Sequence, residues 1–190
     1  MYHELLTKKV LILGCGNVLM GDDGFGPAVI QKLRGRTDMP DWAHAEDVGT
    51  SVRDLLFNLT LLDERPEWII VLDAVDKPGR RSGEVFEISV TEIPEKKVID
   101  YSFHQFPTTN LLKEIQDGCG VRVTILGAQT HGKLEAVHPG LSTPMRQAVA
   151  RAADHVMQLL TDAGPRYVSR PAMAARSRRK HGEEESPPRR

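Results

Sequence analysis

Cysteine is scarce in this 190-residue sequence. Cys15 and Cys119 are the only two, far apart and without Cys-x-x-Cys spacing. That argues against a disulfide framework or a structural zinc site and suits a reducing cytosol. Net charge is also small, with 25 Lys and Arg against 26 Asp and Glu, so no nucleic-acid partner is indicated. No apolar run approaches membrane-spanning length. The run before Cys15 is too brief for the hydrophobic stretch of a signal peptide. A soluble, intracellular protein with no membrane insertion is expected.

Several chemical signatures are missing too. Gly14 and Gly16 are followed by Leu19 where a dinucleotide fingerprint needs its third glycine. Gly-Lys-Ser/Thr, His-Glu-x-x-His and Gly-x-Ser-x-Gly do not occur, which disfavours phosphate-loop, standard zinc-protease and serine-hydrolase chemistry.

What is present is an alternation of two periodicities. The continuous apolar run at residues 10–13 and the stretch "WIIVLDAV" read as strands covered on both faces. A weak strand is expected at residues 45–48, a half-exposed one in "EVFEISV", and another in "VRVTILGAQ". Pro27 suits a first helical turn, with Val29, Ile30 and Leu33 on one face. "TSVRDLLFNLTLL" reads as a helix capped by Thr50 or Ser51, and a further helix should run from about Thr108 to Gly118. Ser142, Thr143 and Pro144 should cap a last helix ending at Leu160. This order predicts a three-layer α/β/α sandwich around a mostly parallel five-stranded sheet.

The folded domain is expected to occupy residues 1–160. Residues 161–190 hold eight Lys and Arg against four Asp and Glu and lose the apolar periodicity. They read as a basic, disordered tail.

The stretch "LILGCGNVLMGDDGFGPAVIQKL" places two adjacent aspartates among five glycines after the first strand. Ligands of such sheets sit beyond the carboxyl ends of the strands. Acids there repel a pyrophosphate and favour a cation. Asp23, Asp73 closing the strand "WIIVLD", and His104 before the third helix form a mixed O/N set that accepts nickel or zinc. Each has a plainer reading. Asp23 suits a helix cap, Asp73 a tie to loop amides, and His104 a structural histidine. Asp22 is the better candidate for local capping. His131, after "ILGAQ", is the substitute ligand, while His44, His138 and His155 read as surface residues. Cys15 reads as a small buried filler.

In order, "ILGCGNVLMGDDGFG", "DVGTSVRDLL", "IIVLDAVDKPG", "FHQFPTTNLL" and "ILGAQ" resemble the landmarks of the [NiFe]-hydrogenase maturation endopeptidases. The resemblance spans residues 9–160. "HQFPTTNLLKEI" is most similar to the branch serving coenzyme F420-reducing hydrogenases. The resemblance implies removal of a short C-terminal extension from a hydrogenase large-subunit precursor once nickel is inserted. It also implies that Asp23, Asp73 and His104 contact nickel brought by that precursor and carry the catalysis. Asp23 stands where some relatives have Glu. The alternatives are a non-catalytic nickel-binding assembly factor with the same fold and, less favoured, a nucleotide-binding α/β domain.

Overall fold

The computed structural model describes residues 8–90, 109–131 and 137–168. Five strands form one sheet: β1 (Val10–Cys15), β2 (Ala43–Gly49), β3 (Trp68–Val75), β4 (Val85–Ile88) and β5 (Arg122–Gln129). Their order is β2-β1-β3-β5-β4. All neighbours are parallel except β4, which runs antiparallel to β5 at one edge. Four helices accompany them: α1 (Phe25–Arg34), α2 (Val52–Thr60), α3 (Thr109–Cys119) and α4 (Thr143–Val168).

Every residue of β1 and β3 is buried, as continuous apolar runs between two helical layers require. Alternation sends successive side chains to opposite faces. Val10, Ile12, Ile70 and Leu72 join Val29, Ile30 and Leu33 of α1 and Met145, Ala152 and Val156 of α4. Leu11, Leu13, Ile69 and Val71 join Leu55, Leu56 and Leu59 of α2 and Leu112 and Ile115 of α3. The two clusters are the two sides of the predicted sandwich. Each fully buried Leu or Ile contributes about 1.5–3 kcal/mol. Among the described residues, no helix is long and apolar enough to cross a membrane.

Most boundaries fall within a residue or two of the sequence expectation, and three departures are informative. β2 extends beyond residues 45–48 at both ends, because parallel pairing with β1 from Val10↔Ala43 onward supplies its hydrogen bonds. The strand in "EVFEISV" is limited to its first part. The last helix continues past Leu160 to Val168. Its inner face, Val156, Leu160, Ala163 and Tyr167, keeps helical spacing against the α1/α4 cluster. Tyr167 meets Trp42 with ring centroids 4.8 Å apart. Residues 161–168 therefore belong to the packed helix, while residues 169–190 lie outside the described set.

Candidate active site

The crevice lies at the carboxyl ends of β1 and β3, and close backbone packing builds it. Gly26 opens α1 directly against the strand ends. A Cβ there would lie 2.2 Å from the Cys15 carbonyl oxygen and 2.6 Å from that of Leu72. Gly16 has a φ of +129°, and a Cβ on it would lie 1.9 Å from the Asp23 carbonyl oxygen. Glycine is thus required at both positions. The Gly16 N–H donates to the Gly49 carbonyl at 3.0 Å, joining the end of β1 to the end of β2. A 3-10 turn, Gly21–Gly24, is held between these contacts and the start of α1.

The turn carries Asp22 and Asp23, which are 3% and 2% exposed. Neither caps α1, whose N-cap is Gly24 with no side-chain cap bond. The Asn17 N–H donates to Asp23 Oδ2 at 2.5 Å. Asn17 in turn accepts the Leu19 N–H at 3.0 Å, which shapes the glycine loop. Asp22 faces the other way. Asp22 Oδ2 accepts the His131 N–H at 2.8 Å and the Ser142 hydroxyl at 2.9 Å, and Oδ1 accepts the Ser142 N–H at 2.7 Å. Ser142 Oγ accepts the Met145 N–H at 3.4 Å in the first turn of α4. Asp22 therefore does capping work on the last helix, not the first.

Asp73 is 3% exposed and continues the row Ile69, Val71 on the α2/α3 face. Its Oδ1 accepts the adjacent Ala74 N–H at 2.9 Å. β3 runs two residues beyond it, to Val75, so Asp73 stands near the strand's end but does not close it. Cys15 ends the neighbouring row Leu11, Leu13 on the same face. Burial pushes its thiol well above the ordinary range, and the charges of Asp73, Asp23 and Asp47 push it further. The filler reading of Cys15 holds: it is a neutral, packed thiol rather than a thiolate nucleophile. Asp73, Asp23 and Asp47 thus lie within electrostatic range of the Cys15 sulfur.

Asp23 and Asp73 are thus brought to one crevice. His104 lies outside the described residues. Among the described residues, no three His, Cys, Asp or Glu side chains gather so as to hold a metal ion. His131 is exposed and is tied through its backbone to Asp22, so it does not complete such a set with Asp23 and Asp73. His44 and His155 are half-buried beside Glu46 and Glu87, and His138 is exposed. Sequence reasoning missed Asp47 as a neighbour of Cys15. Its position near the end of β2 was the available signal.

A cleft of about 490 Å³ adjoins the same turn, lined by Val18, Pro27, Ala28, Ile30 and Leu141, with Arg34 and Asp47 at its rim.

Comparison with known proteins agrees with this fold. Residues 27–159 match the family model for hydrogenase maturation protease. A Methanocaldococcus jannaschii protein assigned as a hydrogenase maturation protease is 35% identical, covering 80% of this chain and 94% of the relative. The coenzyme F420 hydrogenase subunit delta of Methanothermobacter thermautotrophicus is 31% identical, covering 78% and 92%. The solved structure of the hydrogenase maturating endopeptidase HybD from Escherichia coli superposes with a TM-score of 0.67 at 25% identity, covering 82% and 94%. The non-catalytic and nucleotide-binding alternatives give way to these endopeptidase relatives. With its five-stranded sheet and an acid-lined crevice at the strand ends, the chain belongs to the hydrogenase maturation protease family and is an endopeptidase.

Proposed function

We propose that this endopeptidase removes the C-terminal extension of a [NiFe]-hydrogenase large-subunit precursor after nickel has been inserted. The observation that carries the reading is a pair of almost fully buried acids, Asp23 on the turn after β1 and Asp73 near the carboxyl end of the adjacent parallel strand β3. Water is largely excluded there, so a cation arriving with the precursor gains more from these carboxylates than it would in solvent. Two carboxylates and an imidazole from His104 make a donor set suited to nickel, with positions left for the precursor's own ligands. Nickel is thus cargo of the substrate, and the crevice reads its presence. A precursor without metal brings no cation to offset the acids, and docks poorly.

The chain's own contribution is to hold the acids still. The Asn17 N–H fixes one oxygen of Asp23 and the Ala74 N–H fixes one oxygen of Asp73. Each carboxylate is thereby kept in one orientation for binding metal or for taking the proton of an attacking water. Histidine before α3 supplies the neutral nitrogen ligand.

The test is to incubate purified precursor, loaded with nickel or unloaded, with this protein and to weigh the product by mass spectrometry. A new C-terminus in the loaded sample alone is expected. Equal cleavage of both samples overturns the nickel checkpoint while leaving the endopeptidase activity standing.

A further inference from the structure

We propose that the cleft beside α1 seats an aliphatic side chain of the extended precursor segment next to the cleaved bond. The inference rests on the precursor-processing reading above and adds to it the chemistry by which the segment is gripped.

Most of the cleft's lining side chains are apolar. Pro27, Ala28 and Ile30 of α1 form one wall, while Val18 and Leu141 form the other. Those two walls meet over Gly24, where a Cβ would lie 3.2 Å from Val18 Cα and 3.8 Å from Leu141 Cδ2. At about 490 Å³, it falls within the roughly 300–1,000 Å³ typical of ligand clefts.

Val18 of the cleft belongs to a set of exposed aliphatic residues that continues through its chain neighbour Leu19 to Val137. Val18, Leu19 and Val137 are 56%, 52% and 72% exposed. They come from two distant segments joined by the bond from the His138 N–H to the Leu19 carbonyl, at 2.9 Å. Neighbouring exposed aliphatic groups of this kind mark contact sites.

The rim's charged groups are already engaged. Arg34 pairs with Glu46 and donates to the Ala45 carbonyl, and Asp47 accepts the Gly49 N–H. A charged ligand finds its best partners taken, whereas an aliphatic group loses nothing by entering.

Position selects the occupant. The cleft includes Gly21 and Gly24, which flank Asp22 and Asp23 in the same turn. A chain presented to Asp23 for cleavage therefore has this cleft beside it, across the same turn. Asp22 secures the arrangement by binding Ser142, next to Leu141, to the turn. One wall of the cleft and one acid of the site are thereby held in a single unit.

Ala28→Trp tests the proposal, because it fills the cleft from a half-buried helix position without touching either acid. Processing rate is measured against the concentration of nickel-loaded precursor, with melting temperature and sedimentation recorded in parallel. The half-saturating concentration should rise about tenfold or more, equivalent to losing one well-buried aliphatic contact, while the maximal rate is retained. Gln31→Trp, on the same helix face and fully outside the core, repeats the test should Ala28→Trp melt early. The cut mapped by mass spectrometry should have an aliphatic residue beside it, and replacing that residue with serine should reproduce the effect on wild-type enzyme. An unchanged half-saturating concentration in both tryptophan variants overturns the proposal. So does a change in sedimentation with unchanged kinetics, which would make the cleft a contact between copies of this chain. Failure of the wild-type protein to cut the loaded precursor at all would instead count against the processing reading.

Discussion

The carboxylate of Asp22 binds both the backbone N–H and the hydroxyl of Ser142, 120 residues further along the chain. Through that pair, the turn after β1 and the start of α4 become one rigid corner of the molecule. Hydrogen bonds to a buried charge contribute about 1.5–3 kcal/mol each when a partner is removed. Asp22→Asn should therefore lower stability by roughly 2 kcal/mol, since the amide loses one of the two acceptor oxygens. A double-mutant cycle with Ser142→Ala, followed by urea unfolding, measures the coupling. Strictly additive effects would show that the two residues do not act as a pair.

Asp23→Asn and Asp73→Asn should each leave the fold intact and abolish processing of the loaded precursor. The amide keeps the size and one acceptor oxygen while removing the charge that attracts a cation. His104→Ala should do the same, whereas His131→Ala should process normally, because His131 is exposed and bound to Asp22 only through its backbone. Mass spectrometry of the processed precursor reads all four. A folded Asp73→Asn variant working at wild-type rate removes that residue from the site.

The thiol of Cys15 should resist alkylation at pH 8 far longer than that of Cys119, which is half-buried. Burial first, and then the neighbouring acids, favour the protonated form of Cys15 in the folded state. Its folded pKa lies above its unfolded value, so the associated stability is fully present below about pH 8.5. That stability is lost as pH rises further, because the unfolded chain then gives up a proton that the folded chain retains. Thermal melts between pH 7 and 10 should show the decline, and Cys15→Ala should flatten it while continuing to cleave. An inactive but folded Cys15→Ala variant would restore a chemical role to the thiol.

Tyr167→Ala should destabilise the protein by about 1–3 kcal/mol, combining the lost aromatic pair with lost apolar burial. Truncation after Leu160 should cost at least as much, because it also removes Ala163 from the α1/α4 cluster. Equilibrium unfolding of the two proteins checks this. Wild-type stability in both would mean that the last two turns of α4 contribute nothing to the core.

Much of the architecture was legible locally. Unbroken apolar runs at β1 and β3 announced strands buried on both faces, and glycines beside paired aspartates announced a tight turn after β1. Both are encoded in the sequence because period and composition act over a few residues, without any distant partner. The tertiary structure decided what no short window contains. It turned Asp22 away from α1 toward Ser142, put Cys15 within electrostatic range of Asp73, Asp23 and Asp47, and carried α4 past Leu160 because Trp42 waits there for Tyr167. In each case the partner lies on another element, and only the parallel register and close glycine packing bring the two within range of a hydrogen bond, a charge or a ring.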